Sequence, residues 1–246
     1  MKRYFYDFHL HSCLSPCADN DSTPSNIAGM GMLAGLQILA LTDHNSAKNC
    51  PAFFEAAERV GVIPVAGMEL ETAENIHVVC LFGTLESAMA FDDEVAARRF
   101  PIRNKPELYG DQIIVDADDN ELSRDPLLLV VATGIPLSEV PEMTARHGGV
   151  CYPAHIDRPS NGILAILGDF PPDLDCACVE LNDMSKRDEL LKRHDSLRTK
   201  KFLSGSDAHR LDAIADAAHQ IALDGETPEE IRKNLIESIK SGEIRS

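Results

Sequence analysis

The chain has 246 residues, 44% of them hydrophobic, which suffices for one large domain with its own core and excludes a disordered or fibrous protein. A formal net charge of −17 argues against a broad electrostatic grip on duplex nucleic acid, which needs clustered Lys and Arg. No run of about 18 uncharged apolar residues occurs, and the N-terminal MKRYFYDFHLHS lacks a signal-peptide core, so a cytoplasmic protein with no membrane partner is expected.

Taken in order, Tyr4 to Phe8 reads as a first buried strand. Thr23-Pro24 then places a cap before a first-turn proline, with Ile27, Met30 and Ala34 following at helical spacing. A second strand, Ile38 to Leu41, precedes a helix from Ala47 to Val60 whose stripe is Phe53, Phe54, Ala57 and Val60. Strands at Val62 to Val65 and Ile76 to Phe82 come next. Residues 86–135 break the rhythm with prolines, Arg98-Arg99 and an acidic run at 116–119. They read as an insertion between the fourth and fifth strands, helical with a hairpin near Asp119-Asn120, acting either as a lid or small subdomain or as a solvated excursion. Strands resume at Gly149 to Tyr152, Ala177 to Leu181 and Phe202 to Leu203. Finally, Thr227-Pro228-Glu229-Glu230 has capping-box spacing ahead of Ile231, Leu235 and Ile239. Strands alternating with helices imply a largely parallel sheet in one domain spanning 1–246. The seven cysteines, several inside strand-like runs, read as reduced core thiols rather than a disulfide framework.

Chemistry concentrates where these strands end. His9 and His11 are separated by one residue, so an extended backbone points both imidazoles to one side, as a shared metal requires. Thr42-Asp43-His44 follows the second strand and Gly67-Met68-Glu69 the third. His155 follows the fifth, and Ser204-Gly205-Ser206-Asp207-Ala208-His209 the seventh, where small residues let backbone and ligands crowd together. The loops at the C-terminal ends of parallel barrel strands converge on one mouth, so ligands distant in sequence meet in space. Imidazoles mixed with carboxylates suit zinc, iron or manganese, and several carboxylates suit a multinuclear site. Asp43 reads as a residue that orients an imidazole, with a helix cap as the alternative. His77 begins a strand, so the pattern leaves its role open. His147, His194 and His219 receive none.

Asp7-Phe8-His9-Leu10-His11-Ser12, Thr42-Asp43-His44, Gly67-Met68-Glu69 and Ser206-Asp207-Ala208-His209 together resemble the PHP (polymerase and histidinol phosphatase) family. The resemblance implies a distorted seven-stranded (β/α)7 barrel holding two to three divalent ions, with His9, His11, His44, Glu69, His155, Asp207 and His209 as ligands. It also brings in His77, which matches the family histidine after the glutamate motif, and Asp19, which matches an acidic residue ahead of the first helix. A polymerase is excluded by length, so the resemblance is to the small stand-alone phosphoesterases.

Three divalent ions held by the carboxylates of Asp19, Glu69 and Asp207 would leave about three positive charges in an otherwise acidic protein, an attractive site for phosphate. Hydrolysis of a small phosphate ester, a nucleotide or a phosphorylated metabolite, by a metal-activated water near Asp207, His209 and Glu69 is the reading favoured here. Arg158 is a candidate for a forked contact to phosphate oxygens, with a surface ion pair as its alternative. Two other functions use the same residues: amidohydrolase-type C–N bond hydrolysis, and a non-catalytic metal-binding regulatory domain.

Overall fold

The structure is a computed structural model, and it describes residues 1–245. The single-domain reading of 1–246 extends to Ser246, which lies outside the described residues. In chain order the elements are β1 (Lys2–Leu10), α1 (Pro24–Leu33), β2 (Ile38–Leu41), α2 (Cys50–Val60), β3 (Ile63–Glu71), β4 (His77–Phe82), α3 (Leu85–Ala96), α4 (Pro106–Tyr109), β5 (Ile113–Val115) and β6 (Glu121–Arg124). These are followed by α5 (Val140–Arg146), β7 (Gly149–Pro153), α6 (Ile163–Leu167), β8 (Cys178–Leu181), α7 (Arg187–Arg193), β9 (Lys201–Ser204), β10 (Gln220–Leu223) and α8 (Pro228–Ser241).

Local chemistry accounts for the main helices. Thr23 and Thr227 each accept a backbone N–H at an N-terminus, and Glu230 completes the capping box of α8. Gly61 and Gly242 end α2 and α8 with φ of 77° and 71°, a left-handed conformation that glycine adopts without penalty. Helix α2 buries Phe53, Ala56 and Ala57, and α8 buries Ile231, Leu235, Ile236 and Ile239 against opposite faces of the sheet.

The main sheet is a curled half-barrel of six strands in the order β10-β1-β2-β3-β4-β7. It is not the largely parallel arrangement that alternating strands and helices suggested. β1, β2 and β3 are parallel, but β4 runs antiparallel to both β3 and β7, and β10 runs antiparallel to β1. The reason lies in the link between β3 and β4, residues 72–76: it is too short for a crossover helix, so the chain must double back. Asn75 makes that turn with a φ of 60°. The parallel pair β8-β9 lies beside the curl, where Ile156 N donates to Glu180 O at 2.9 Å and Leu10 bridges to Ala208.

Within 86–135 the chain forms α3, α4 and the β5-β6 hairpin, which turns at Asp116–Asn120. This segment is tied to the loops at the strand ends. Ile113 N donates to Cys13 O at 2.8 Å, and Asn45 Nδ2 donates to the Leu129 and Val131 carbonyls. Among the described residues no helix is long and apolar enough to cross a membrane.

Candidate metal centre

Glu69 is the hub. Its Oε1 lies 2.9 Å from His77 Nδ1, 3.0 Å from His155 Nε2 and 3.2 Å from His9 Nε2, while Oε2 lies 3.0 Å from His44 Nδ1 and 3.3 Å from His11 Nε2. Asp207 Oδ1 stands 3.1 Å from His11 Nε2 and 3.5 Å from His9 Nε2. His209 stacks on His11 with ring centroids 4.2 Å apart. Six strands and the loops following them thus deliver eight of the nine expected ligands to one mouth: His9 from β1 and His11 just after it, His44 after β2, Glu69 from β3, His77 from β4, His155 after β7, and Asp207 and His209 after β9.

Three sets of donor atoms are close enough to share an ion: His9, His11, Glu69 and Asp207; His44, Glu69 and His77; and His11, His44 and His209. The residues fit divalent metal by a test independent of that grouping. His9 Nε2, His11 Nε2, His44 Nδ1, Glu69 Oε2 and Asp207 Oδ1 are all buried, and none makes a hydrogen bond of acceptable geometry. Each such atom costs about 1–3 kcal/mol if left alone, so five facing one another are tolerated only where a cation satisfies them. The backbone is also strained at two residues of the cluster: His155 and Asp207 have φ of 28° and 52°.

The opposite ends of the imidazoles are fixed. His9 Nδ1 donates to Glu180 at 2.8 Å, which leaves its Nε2 lone pair facing the cluster. His11 Nδ1 donates to Ser15 Oγ at 3.0 Å, and that hydroxyl donates to Asp43 Oδ1 at 2.7 Å. Asp43 also accepts from Ser12 N and Oγ. It therefore orients His11 through Ser15 rather than by direct contact. Glu180 was not picked out by sequence reasoning, although a carboxylate within the apolar run CACVEL was a signal, since a fully buried acid needs a partner. Glu180→Gln keeps the shape but weakens the hold on His9; metal affinity is expected to fall roughly 10–100-fold, read by chelator competition.

Gly205 shows how tightly this corner is built. A Cβ there would stand 2.6 Å from Glu180 Oε2 and 2.7 Å from His9 Cβ. Gly205→Ala must push both residues aside, at a cost of about 1–3 kcal/mol, together with weaker metal binding. Thermal melts with and without zinc check both effects.

Electrostatics reinforce the geometry. Burial alone would depress the His9 imidazole, but Glu180, Glu69 and Asp207 outweigh it and hold His9 well above its ordinary range. His44 is raised in the same way, burial being overcome by Glu69 and Cys17. Burial would raise Glu69, yet His77, His9 and His44 hold it well below the carboxylate range, and His9 and His11 do the same for Asp207. Asp7, buried beneath His9 and accepting from the His9 and Ser206 amides, is pushed up to about 6 by burial.

Two expected site residues are placed differently. Asp19 is not in the cluster: its backbone N donates to His209 O at 2.9 Å, which turns its side chain outward. That side chain is 61% exposed and lies 3.7 Å from Arg210 Nε. From the same loop, Cys17 interacts electrostatically with His44 and His209. Cys17 is exposed overall, whereas the other six cysteines are buried, so it departs from the reading of all seven as core thiols. Burial at the crowded rim pushes its thiol up, but hydrogen bonds from His209 and His44 outweigh this and bring it down to about 5. Arg158 pairs with Asp207 Oδ2 at 2.5 Å rather than with Asp157, which Lys186 engages.

Residues 7–240 match the PHP domain. The chain belongs to the PHP domain family. Comparison with curated proteins returned no match. Among solved structures, this PHP domain is similar to the lesion-specific endonuclease PfuEndoQ of Pyrococcus furiosus, at TM-score 0.64 and 19% identity, covering 98% of this chain and 56% of that one. It is similar to endonuclease Q in complex with a 27-mer duplex carrying an abasic lesion at the active site, at TM-score 0.62 and 20% identity, covering 94% and 56%. A candidate metal-dependent phosphoesterase of Bifidobacterium adolescentis matches at TM-score 0.55 and 19% identity, covering 83% and 87%. This chain therefore spans only about half the length of the endonuclease Q chains.

The exclusion of duplex nucleic acid drawn from net charge is corrected by these neighbours, because endonuclease Q, about half of which matches this fold, is seen in complex with a 27-mer duplex. Net charge sums the whole surface, whereas a strand feels only charges within roughly a Debye length, about 8–10 Å at ordinary ionic strength. Cations at the mouth can dominate there whatever the far side carries.

Proposed function

We propose that this PHP domain is a metal-dependent hydrolase of phosphate esters, with His9, His11, His44, Glu69, His77, His155, Asp207 and His209 holding two to three ions of zinc, manganese or iron. The observation that carries the reading is the set of buried donor atoms around Glu69 and Asp207 that face one another without hydrogen-bond partners. Bound divalent ions would supply Lewis acidity and lower the pKa of water toward about 7. The chain supplies the rest. Glu180 and the Ser15–Asp43 relay fix which nitrogen of His9 and His11 faces inward, and Glu69 joins the donor sets. Arg158, 40% exposed at the mouth, holds Asp207 by one guanidinium nitrogen, leaving other donors of its fork for an anionic oxygen. The substrate class favoured is a small phosphate ester, such as a nucleotide.

Purified protein loaded in turn with zinc, manganese and iron should be assayed on phosphomonoesters, phosphodiesters, nucleotides, cyclic amides, and duplex oligonucleotides with and without an abasic site. Phosphate-ester turnover that disappears on chelation is expected. Turnover of amides alone would sink the phosphoesterase reading in favour of C–N hydrolysis. Stable metal binding with no turnover would favour the regulatory alternative, and cleavage of duplex alone would move the substrate class to nucleic acid.

A further inference from the structure

The half-barrel leaves a seam. β9 pairs with β8 and β10 with β1, but the two strands do not pair with each other. Between them opens a cleft of about 560 Å³, a size that suits a small organic ligand. β9 contributes Lys201 and Phe202, α7 contributes Arg187, the stretch between them Arg198 and Lys200, and β10 Gln220. None of the eight residues of the metal cluster lines it.

Charge singles this cleft out. The chain carries 40 Asp and Glu against 23 Lys and Arg, yet four cations and no carboxylate line the cavity. Residues 186–201, which supply all four, hold seven Lys or Arg against three acids. Arg187 pairs with Asp188 at 3.3 Å and Arg198 with Asp195 at 2.8 Å, but those carboxylates are 80% and 81% exposed, and an ion pair in open solvent is weak. Each guanidinium therefore keeps donors of its fork for a stronger anion. Lys200 Nζ is anchored on Cys176 O at 2.7 Å, and Lys201 is exposed. The cleft also continues inward, as a chamber of about 140 Å³ that shares Tyr6, Ala218 and His219 with it. Asn182 Oδ1 is buried there without a hydrogen-bond partner, an acceptor that a donor group on a ligand, or a water drawn in with it, would satisfy.

We propose that this cleft is a second anion site, separate from the metal mouth, for a small ligand carrying linked phosphates, such as a nucleoside di- or triphosphate or inorganic pyrophosphate. Linked phosphates present several charges a few ångströms apart, which matches cations arriving from α7, from the stretch after it and from β9; a single phosphate meets only part of that set. The acidic remainder of the surface repels such a ligand, so its favourable potential is confined to the cleft. Opposite the cations, Met184, Phe202 and Ile244 give a nucleoside base an apolar wall, with the Arg187 guanidinium 5.3 Å from the centre of the Phe202 ring. The site stands whether or not the metal mouth hydrolyses phosphate esters.

Calorimetric titration of the metal-loaded protein with pyrophosphate, and with a non-hydrolysable nucleoside triphosphate, tests the assignment. Binding should weaken roughly 10-fold or more in the double variant Arg198→Glu, Lys201→Glu, whose exposed positions leave the core intact, and should persist in Glu69→Gln. With either ligand present, acetylation of Lys201 by an N-hydroxysuccinimide ester, mapped by mass spectrometry, should slow on the order of 10-fold while Lys105 on the 86–135 segment reacts unchanged. Equal affinity for the two ligands supports recognition of the phosphate chain alone, and tighter binding of the nucleotide supports the Phe202 wall as well. Binding that vanishes in Glu69→Gln but ignores the cleft substitutions would put the ligand at the metal mouth. A single-stranded oligonucleotide that outbinds both ligands and protects Lys201 would make the cleft a nucleic-acid surface. Either of these last two results, or the absence of Lys201 protection, overturns the proposal.

Discussion

Glu69→Gln is expected to strip most of the metal from the protein and to lower phosphate-ester turnover by roughly 100-fold or more, beyond what loss of a supporting residue would do. Glutamine has the same shape, so the packing of β3 against β2 and β4 survives. Its amide nitrogen, however, would direct hydrogens at nitrogens that must present lone pairs. All five imidazoles that contact Glu69 are affected at once, because its two oxygens are shared among His9, His11, His44, His77 and His155. Asp207→Asn should be milder in metal content, since Asp207 approaches three imidazoles, His9, His11 and His209, against the five around Glu69, but equally severe in rate if Arg158 loses its anchor. Metal analysis beside steady-state rates checks both substitutions. A Glu69→Gln protein with its full metal content and wild-type turnover would show that Glu69 is not a ligand.

The legible part of this site is the part carried by parallel strands. β1, β2 and β3 run the same way, so the histidines and acids at their C-terminal ends or just beyond them could be assigned to one mouth from order alone. His77 could not be placed that way: β4 is antiparallel to both neighbours, so its first residue, not its last, arrives at the mouth, with Glu71 paired opposite. Only the family motif brought it in. Glu180 was hidden differently, since its partner His9 is 171 residues away and no local spacing links them. Asp19 illustrates a third limit. Its backbone N donates to His209 O while its carboxylate is left exposed, a placement that sequence spacing does not encode. The half-barrel's mixed direction follows from a turn only a few residues long, which was present in the sequence as Thr72 to Ile76 but was outweighed by the strand–helix rhythm around it.

Removing the metal should make the protein's stability fall more steeply as pH rises. In the metal-free chain His9 and His44 have folded pKa values raised by the surrounding carboxylates. Their contribution to stability is therefore complete below the unfolded imidazole value of about 6.5 and is lost as pH climbs through the raised folded values. Asp7, raised to about 6, acts in the same direction from lower pH. Glu69 and Asp207 are depressed, so their contribution is present above the unfolded carboxylate value of about 4 and disappears only as pH falls through the depressed values. Chelator-stripped protein should thus be most stable near pH ~5 and should melt at progressively lower temperature toward pH ~8.5. Divalent ions compete with protons for the same nitrogens, so the melting temperature gained on adding zinc or manganese should grow over that interval. With metal at about 100 times its dissociation constant, the added stability approaches ~2.7 kcal/mol per independent site. Thermal melts from pH ~5 to ~8.5, with chelator and with metal, provide the check. Parallel curves in the two conditions would mean that the buried imidazoles do not exchange protons for cations, and the metal centre would have to be given up.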